Sequence, residues 1–224
     1  MERCSLAIVI PAFNEEKTIF KVVRYALNYG TVLVINDASF DRTKEEAEKA
    51  GAILLSNSKN LGYDSSLEKG FEYASRNNFS YIMTMDADGQ HNEDSIRKVI
   101  DAFEDNVDLV TTTRQKKQRF GEFIFGLYFK SFIGLKDPLS GLKAYRTNLY
   151  KKQGYFDSYK SIGTELLIYA IKNKYKIKEI KISNEQRSDQ PRFGSFFKSN
   201  LKILRAFIIA LIKLKFQKKK ISKI

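Results

Sequence analysis

Short apolar runs alternate with helix-period segments through the first half of the chain, and this alternation restricts the possible folds more than any other feature. Between the runs, apolar residues recur at helical spacing, as in Ile19, Val22 and Ala26. The runs themselves are rich in apolar and β-branched residues, as in buried strands: residues 6–10, 32–35, 53–55, 81–85 and 109–112. The pattern predicts an α/β fold with an open, mostly parallel sheet flanked by helices.

Helix-end signals and the later segments extend this prediction. Thr43 and Glu46 have capping-box spacing, and Gly51 lies where a helix would end in a left-handed residue. After residue 114 the pattern is less regular. Loop 137–146 leads into a strand, a helix opens near Glu165, and residues 177–182 form a last strand.

An acidic bend follows the run at 81–85. The carboxyl ends of parallel strands face the ligand crevice, so chemistry is expected there. Asp86 and Asp88 would face opposite ways on an extended chain, but a turn at Gly89 can bring them together, and converged carboxylates need a cation between them. With Gln90 beside them they suit Mg²⁺ or Mn²⁺, whose other sites go to substrate phosphates. The alternative is a solvated acidic turn before a helix near Glu93.

Composition limits the classes of partner and site. The 224 residues are enough for one domain with a substantial core. A single Cys, Cys4, excludes an intrachain disulfide, and a single His leaves a zinc cluster without ligands. The net charge of +13 implies an anionic partner, which is a nucleic acid, a lipid surface or a phosphorylated substrate. No secretory signal is recognisable, because the run at 6–10 is too brief, and a cytoplasmic location is expected.

The C-terminal segment carries much of this charge. From Pro191 onward there is no acidic residue, and ten residues are Lys or Arg. Residues 196–224 are predicted to form an amphipathic helix, and its uncharged centre at 206–212 is much shorter than the ~20 residues of a spanning helix. One interpretation is a helix lying in the interface of an anionic membrane, which would make the protein peripheral. The other is a final helix packed on the core with a solvated basic tail.

Eight segments, in order along nearly the whole chain, resemble family-2 glycosyltransferases of the GT-A fold, in the branch of dolichol-phosphate mannose synthases. They are V-I-P-A-F-N-E-E (9–16), N-D-A-S-F-D-R-T (36–43), K-N-L-G-Y (59–63), D-A-D-G-Q-H (86–91), T-T-R (112–114), D-P-L-S-G-L-K-A-Y-R (137–146), G-T-E-L (163–166) and the R…R-F-G-S tail (187–195). The resemblance implies a glycosyltransferase domain at 1–195, followed by the basic amphipathic helix and tail at 196–224.

The resemblance also implies roles for individual residues in binding the donor. A nucleotide sugar, GDP- or UDP-linked, would contact residues at the ends of the first strands and in the acidic bend: Pro11, Ala12, Asn14, Glu15, Asp37, Gly62, Asp86 and Ala87. Asp86, Asp88 and Gln90 would hold Mg²⁺ or Mn²⁺, with Asp88 also counted as catalytic, and His91 is a ligand, a neighbour of the ligands or a structural residue. Helix capping is the competing role for Asn14, Glu15 and Asp37.

The acceptor implied by the resemblance is a polyprenyl phosphate, which is already anionic and can attack the anomeric carbon directly with inversion. Cationic and polar residues would hold its phosphate: Arg114, Arg119, Ser140, Arg187 and Arg192, with Lys116 and Arg146 as further cations. The alternative acceptor is a saccharide hydroxyl, which needs a general base, and Glu165 is the candidate.

Two departures from the family pattern leave parts of the site unassigned. Asn36 stands where many relatives have a second Asp, so the nucleotide base is not identified. Residues 62–66 replace a stretch that is richer in glycine and alanine in relatives. Nucleic-acid binding is disfavoured, because the charge is concentrated in an amphipathic tail and no nucleic-acid motif is recognisable. A membrane-protein partner or a homo-oligomer remains open.

Overall fold

The computed structural model describes residues 5–103, 107–114, 120–183 and 196–221. Seven strands lie within these ranges: β1 (Leu6–Ala12), β2 (Thr31–Asn36), β3 (Ile53–Ser56), β4 (Tyr81–Thr84), β5 (Leu109–Arg114), β6 (Lys143–Arg146) and β7 (Ile177–Ile182). Eight helices accompany them: α1 (Ile19–Ala26), α2 (Thr43–Ala50), α3 (Tyr63–Arg76), α4 (Glu93–Asp101), α5 (Phe120–Ile133), α6 (Thr147–Gln153), α7 (Glu165–Lys172) and α8 (Phe196–Ile221).

The strands form one sheet in the order β3-β2-β1-β4-β6-β5-β7. All neighbouring pairs are parallel except those of β6, which runs antiparallel to both β4 and β5. The predicted open, mostly parallel α/β sheet is therefore confirmed. The direction of β6 matters for the site, because it brings Lys143 level with Thr84, at the carboxyl end of β4.

Alternate residues of β1 enter two different apolar layers, as expected for a central strand with helices on both faces. Ile8 and Ile10 pack in the layer that includes α1, α2 and α4. Val9 packs in the other layer, formed mainly by α3 and α5 to α8. There Gly70 permits close contact between α3 and β1, since a Cβ at that position would lie 2.2 Å from a Val9 methyl carbon.

The local predictions at helix ends are partly confirmed. Gly51 ends α2 in the left-handed conformation, with φ 99°. The predicted capping box is wrong, because Arg42 occupies the N-cap and makes no side-chain cap bond. The Thr43 hydroxyl is used in a tertiary contact instead: it accepts from the Glu15 N–H and donates to Asp41.

The predicted C-terminal helix is present as α8, and it packs with one face on α5 and α7. Ile203, Ala206 and Ala210 are buried, and the Phe207 ring contacts Phe125 of α5. Along the part of the chain that the structure describes, no helix has the length and hydropathy required to cross a bilayer.

Candidate active site

The acidic bend lies at the carboxyl end of β4, beside the carboxyl ends of β1 and β2. Gly89 adopts φ 75°, which forms the turn expected from the sequence. Within this turn, Asp88 Oδ1 accepts the Gln90 N–H at 3.1 Å. The bend thus occupies the edge of the sheet where ligands bind in open α/β folds.

Asp86 lies between a residue of its own bend and the loop before β6. Its Oδ2 lies 3.5 Å from Nε2 of the buried His91. On another side the backbone of Gly141 approaches so closely that a Cβ there would lie 2.1 Å from Oδ2. Burial, followed by the charges of Asp86 and Asp64, raises the pKa of Tyr63 well above its ordinary value. A third of the Asp86 side chain remains exposed, so the carboxylate is held but still open to a ligand.

Positive charge beside the bend keeps Asp86 ionised. Burial by itself raises the pKa of Asp86, but the neighbouring His91 imidazole, followed by the charges of Arg114 and Lys143, outweighs it and holds the pKa below its ordinary value. Lys143 is itself buried, and burial lowers its pKa to about 8, while the charges of Asp137 and Asp86 act in the opposite direction.

Arg114 is held in place by Asp137. The guanidinium forms a two-point ion pair, with Nε 2.7 Å from Oδ2 and Nη2 3.1 Å from Oδ1. Asp137 is 2% exposed, and the Arg114 side chain is 13% exposed. Because the Arg114 guanidinium is fixed on one side by a buried carboxylate, its remaining N–H groups have a defined direction.

The loops after β1 and β2 are joined by hydrogen bonds. The Asn14 N–H donates to the Ser39 hydroxyl at 3.0 Å, and the Asn14 side-chain oxygen accepts the Phe40 N–H at 3.1 Å. The Glu15 N–H donates to Thr43 at 2.6 Å. Neither Asn14 nor Glu15 caps α1, whose N-cap is Thr18. Both residues instead contact the segment that follows β2, and these contacts shape the edge of the crevice.

Asp37 organises the next loop of the crevice. Its Oδ1 accepts the Leu61 N–H at 2.9 Å and the Asn57 side-chain amide at 2.8 Å, and its Oδ2 accepts the Gly62 N–H at 2.8 Å. These contacts fix Gly62 at φ 89° and ψ 171°, directly before α3. A second lone pair on Oδ2 is available for a ligand donor.

A family model described as Glycosyl transferase family 2 matches residues 7–165, well over half of the chain and all of the crevice described above. The chain belongs to glycosyl transferase family 2. Among relatives of the family, the chain is 28% identical to the UDP-N-acetylglucosamine–dolichyl-phosphate N-acetylglucosaminyltransferase of Methanococcus voltae, over 78% of this chain and 83% of that protein. It is 22% identical to the polyprenol monophosphomannose synthase of Mycolicibacterium smegmatis, over 80% and 77% respectively.

Solved structures agree on the GT-A fold. Glucosyl-3-phosphoglycerate synthase from Mycobacterium tuberculosis, in complex with Mn²⁺, uridine diphosphate and phosphoglyceric acid, superposes with a TM-score of 0.72 at 17% identity. The match covers 92% of this chain and 78% of that chain. The seven-stranded sheet and its flanking helices are thus those of a GT-A member of the family.

The residues at the bend suit the divalent ion predicted for the family site. Carboxylate and amide oxygens of Asp86, Asp88 and Gln90 are hard ligands. His91 is 2% exposed, and among the described residues neither of its ring nitrogens has a hydrogen-bond partner that satisfies normal geometry. The described ranges contain no group of three His, Cys, Asp or Glu side chains arranged as a complete ligand set. An ion bound here would therefore complete its coordination with substrate phosphates and water.

The predicted acceptor residues are only partly brought together. Arg114 lies near Asp86, whereas Arg119, Arg187 and Arg192, like Lys116, lie outside the described residues. Ser140 is fully buried, with its hydroxyl 2.5 Å from that of Thr112, and its contact with an acceptor phosphate stays a prediction.

Arg146 is far from the bend. Because β6 is antiparallel, Arg146 pairs with Tyr81 at the start of β4, whereas the bend follows the other end of β4. Its Nε donates to the Val107 carbonyl at 2.8 Å. This position does not favour a contact between Arg146 and the acceptor phosphate, which stays a prediction.

Glu165, the candidate base, is engaged in a buried polar cluster. It is 2% exposed, and its Oε2 accepts the Ser158 N–H at 2.7 Å and the Ser158 hydroxyl at 2.9 Å. Its Oε1 forms an ion pair with Lys213 of α8. Its role as a base stays a prediction, and these contacts do not favour it.

Four residues of the site were not assigned from the sequence: Tyr63, Asp64, Asp137 and Lys143. The last two lie in the 137–146 block that carried the resemblance, so a buried charge in that block was a usable signal. Tyr63 and Asp64 lie where the chain departs from the family pattern, and no local signal pointed to their partners.

Proposed function

We propose that the protein transfers a hexose from a nucleotide sugar, GDP- or UDP-linked, to a polyprenyl phosphate at the cytoplasmic face of a membrane, with inversion at the anomeric carbon. Membership of the family supports sugar transfer, and the relatives named above act on dolichyl or polyprenyl phosphates. The donor would lie along the loops of Asn14, Asp37 and Gly62, with its diphosphate at the bend.

The contrast between the candidate base and the cations supports a phosphate acceptor. A sugar hydroxyl has a high pKa and needs a base, but Glu165 already accepts two hydrogen bonds and an ion pair. A phosphate monoester is anionic at neutral pH and needs cations instead. Arg114 and Lys143 supply them close to Asp86. This contrast is the observation on which the choice of acceptor depends.

The residues of the chain would act mainly by positioning and by balancing charge. Arg114, oriented by Asp137, would hold the acceptor phosphate so that one of its oxygens faces the anomeric carbon. Attack from the face opposite the leaving group inverts the configuration. When bound, the divalent ion held by Asp86, Asp88 and Gln90 would supply charge neutralisation for the departing nucleoside diphosphate.

A membrane location fits the outer surface of α5 and α8. The two helices pack together, and each exposes large apolar side chains: Phe123, Ile124 and Leu127 on α5, and Leu201, Leu204, Ile208 and Ile212 on α8. We call these seven residues the outer apolar surface. Lys202 and Arg205 of α8 are also exposed. Apolar groups beside cations are typical of helices that lie on anionic lipid.

A panel assay tests the donor and the reaction. The protein is incubated with individual nucleotide sugars, Mn²⁺ and a short-chain polyprenyl phosphate, and the products are identified by mass. We expect one or two nucleotide sugars to give a polyprenyl-phosphate hexose, with release of the nucleoside diphosphate. Absence of product with every donor, in a preparation that is folded and binds vesicles, would overturn the proposal.

A further inference from the structure

The carboxylate of Asp37 lies just after β2, in the crevice proposed for the donor. The Asp37 N–H donates to the Ala12 carbonyl at 2.9 Å, which joins the carboxyl ends of β1 and β2. Asp37 is only 4% exposed. A carboxylate accepts hydrogen bonds through four lone pairs and donates none, so a ligand group bound to it has to be a donor.

The protein itself fills three of these four lone pairs. Oδ1 accepts the Leu61 N–H at 2.9 Å and the Asn57 side-chain amide at 2.8 Å, so both of its lone pairs are used. Oδ2 accepts the Gly62 N–H at 2.8 Å. Within the part of the chain that the structure describes, one lone pair of Asp37 is therefore left for a ligand, and it belongs to Oδ2.

The orientation of the Asn57 amide is fixed by Lys69. The Lys69 ammonium donates to the Asn57 side-chain oxygen at 3.0 Å and to the Ser56 carbonyl at 2.6 Å. An ammonium group only donates, so the amide oxygen has to face Lys69 and the NH₂ group has to face Asp37. Reversal of the amide would set donor against donor and acceptor against acceptor, so this lone pair of Oδ1 stays occupied.

Open space adjoins the remaining lone pair. Apart from its two chain neighbours, no heavy atom of the described residues lies within 4 Å of a Cβ built on Gly62, whose N–H binds Oδ2. The neighbouring Asn36 has its side-chain oxygen turned to the Ser39 N–H within the loop, at 3.1 Å, and as an amide it adds no second carboxylate. A flat ring in this space would thus meet a single carboxylate lone pair.

Uracil and guanine differ in the number of donors that they present to such a site. Uracil has one, the ring N3–H, which lies between two carbonyl acceptors. Guanine has two adjacent donors, the ring N1–H and the 2-amino group, beside its carbonyl oxygen. One lone pair satisfies uracil, whereas it leaves one donor of a buried guanine unpaired, which weakens binding.

We propose that the crevice reads the donor's base through the one open lone pair of Asp37 and therefore takes a uridine nucleotide in preference to a guanosine nucleotide. The inference rests on the proposed function, which places the donor along this loop. The uracil N3–H would donate to Oδ2, with the ring in the open space beside Gly62. Asn57 and Lys69 keep Oδ1 from serving as a second acceptor.

Calorimetric titration of the full wild-type chain with four nucleotides tests this, with Mn²⁺ present and no acceptor. UDP is compared with 3-methyl-UDP, in which a methyl group replaces the N3 hydrogen. GDP is compared with IDP, a matched purine that lacks only the 2-amino donor. We expect UDP to bind about ten-fold or more tighter than either 3-methyl-UDP or GDP, and IDP to bind several-fold tighter than GDP.

The outcomes separate this inference from the proposed function. The expected order of the four affinities supports the inference. It is overturned, and the proposed function left intact, if GDP binds as tightly as UDP or IDP, or if the 3-methyl group has no effect. Preferential binding of UDP without hexose transfer from any UDP-sugar to a polyprenyl phosphate would overturn the proposed function alone. Absence of binding of all four nucleotides would overturn both.

Discussion

Asp86 and Asp88 are two residues apart, but the structure gives them different surroundings. Asp86 lies beside His91 and against the Gly141 backbone. Asp88 accepts the Gln90 N–H within the turn itself. One carboxylate is thus fixed by tertiary contacts and the other by the local bend, and an ion between them would join the two.

Replacing Asp88 by Asn tests the metal assignment. The amide keeps an acceptor for the Gln90 N–H, so the fold is expected to persist, but the charge that binds the ion is lost. We expect Mn²⁺-dependent turnover to fall on the order of 100-fold or more, since even partners beyond the ligands contribute roughly 10- to 100-fold. Asp94→Asn, on the exposed side of α4, is the control. Full activity in Asp88→Asn would remove the ion from this site.

Asp64 predicts a pH dependence of stability. Burial, followed by the charge of Asp157, raises the pKa of Asp64 from 3.8 to about 6. A carboxyl whose pKa is raised by folding favours the folded state at low pH, and this stabilisation is lost as the pH rises from about 4 through about 6. Asp64→Asn keeps an acceptor for the Gly163 N–H and removes the charge.

Urea unfolding between pH 4.5 and 7.5 measures the effect. Relative to the wild type, the Asp64→Asn variant should gain stability as the pH rises, by at most about 3 kcal/mol for a two-unit shift. Parallel pH profiles for the variant and the wild type would show that Asp64 is not the titrating group.

Residues within local motifs could be predicted, and residues defined by tertiary contacts could not. Asp86, Asp88 and Gly89 were predictable because a strand end and a turn place them together within a few residues. Gly141 contacts Asp86 from a distant part of the chain, and no local pattern indicates that contact. The capping box at Thr43 failed for the same reason, since its hydroxyl bonds to Glu15 from the preceding loop.

At the scale of elements, the segment 157–164 connects α8 to the start of α3. Lys160, Ile162 and Gly163 all have positive φ, a conformation that costs energy in the first two. On one side Asp64 binds the Gly163 N–H, and on the other Arg205 of α8 donates to the Tyr159 carbonyl at 3.4 Å. The segment is thus held from both sides in a conformation that it would not adopt alone.

The ion pair of Glu165 and Lys213 predicts non-additive effects on stability. Glu165→Gln leaves Lys213 without its partner carboxylate and should lower the free energy of unfolding by about 3 kcal/mol. In Glu165→Gln/Lys213→Met no unpaired charge remains, and most of that loss should be recovered. Urea unfolding of the wild type, the two single variants and the double variant completes the cycle.

The same variants separate the two acceptors. With a phosphate acceptor, the double variant should retain transfer to within several-fold of wild type. A double variant that is as stable as wild type but inactive would make Glu165 a catalytic base and favour the hydroxyl acceptor.

The outer apolar surface leads to a second prediction at the scale of elements, which concerns vesicle binding by α8. Leu204→Gln/Ile208→Gln removes two half-exposed apolar groups from α8 and should weaken binding to anionic vesicles about ten-fold or more. Phe20→Gln/Ile53→Gln changes two similarly exposed groups elsewhere and is the control. Cosedimentation with vesicles over a salt series measures the binding. Equal loss in both variants, or in neither, would exclude this surface as the lipid contact.

The elements were predictable where their pattern was regular. The alternation through residue 112 gave β1 to β5 and α1 to α4 with small errors at their ends. Helix α5 was not predicted, because its aromatic and aliphatic residues together are spread around the circumference and obscure a single apolar face. The antiparallel direction of β6 also had no local signal, because it depends on how the chain returns between β4 and β5.

For the whole molecule, the donor crevice, the cations and α8 belong to one connected arrangement. The crevice lies at the carboxyl ends of β1, β2 and β4, Arg114 ends β5, and α8 contacts the segment that adjoins Tyr63. The net charge of +13 favours anionic partners on a scale larger than the site. A lipid-linked phosphate presented at an anionic surface is consistent with all of these features.

The most direct test of the account compares two acceptors that differ in one group. The wild-type protein receives a productive nucleotide sugar, Mn²⁺ and either a short polyprenyl phosphate or the same polyprenol without phosphate, and the products are measured by mass. We predict a hexosylated product with the phosphate and none with the alcohol. Transfer to the polyprenol, or to an added saccharide in preference to the phosphate, would contradict the account.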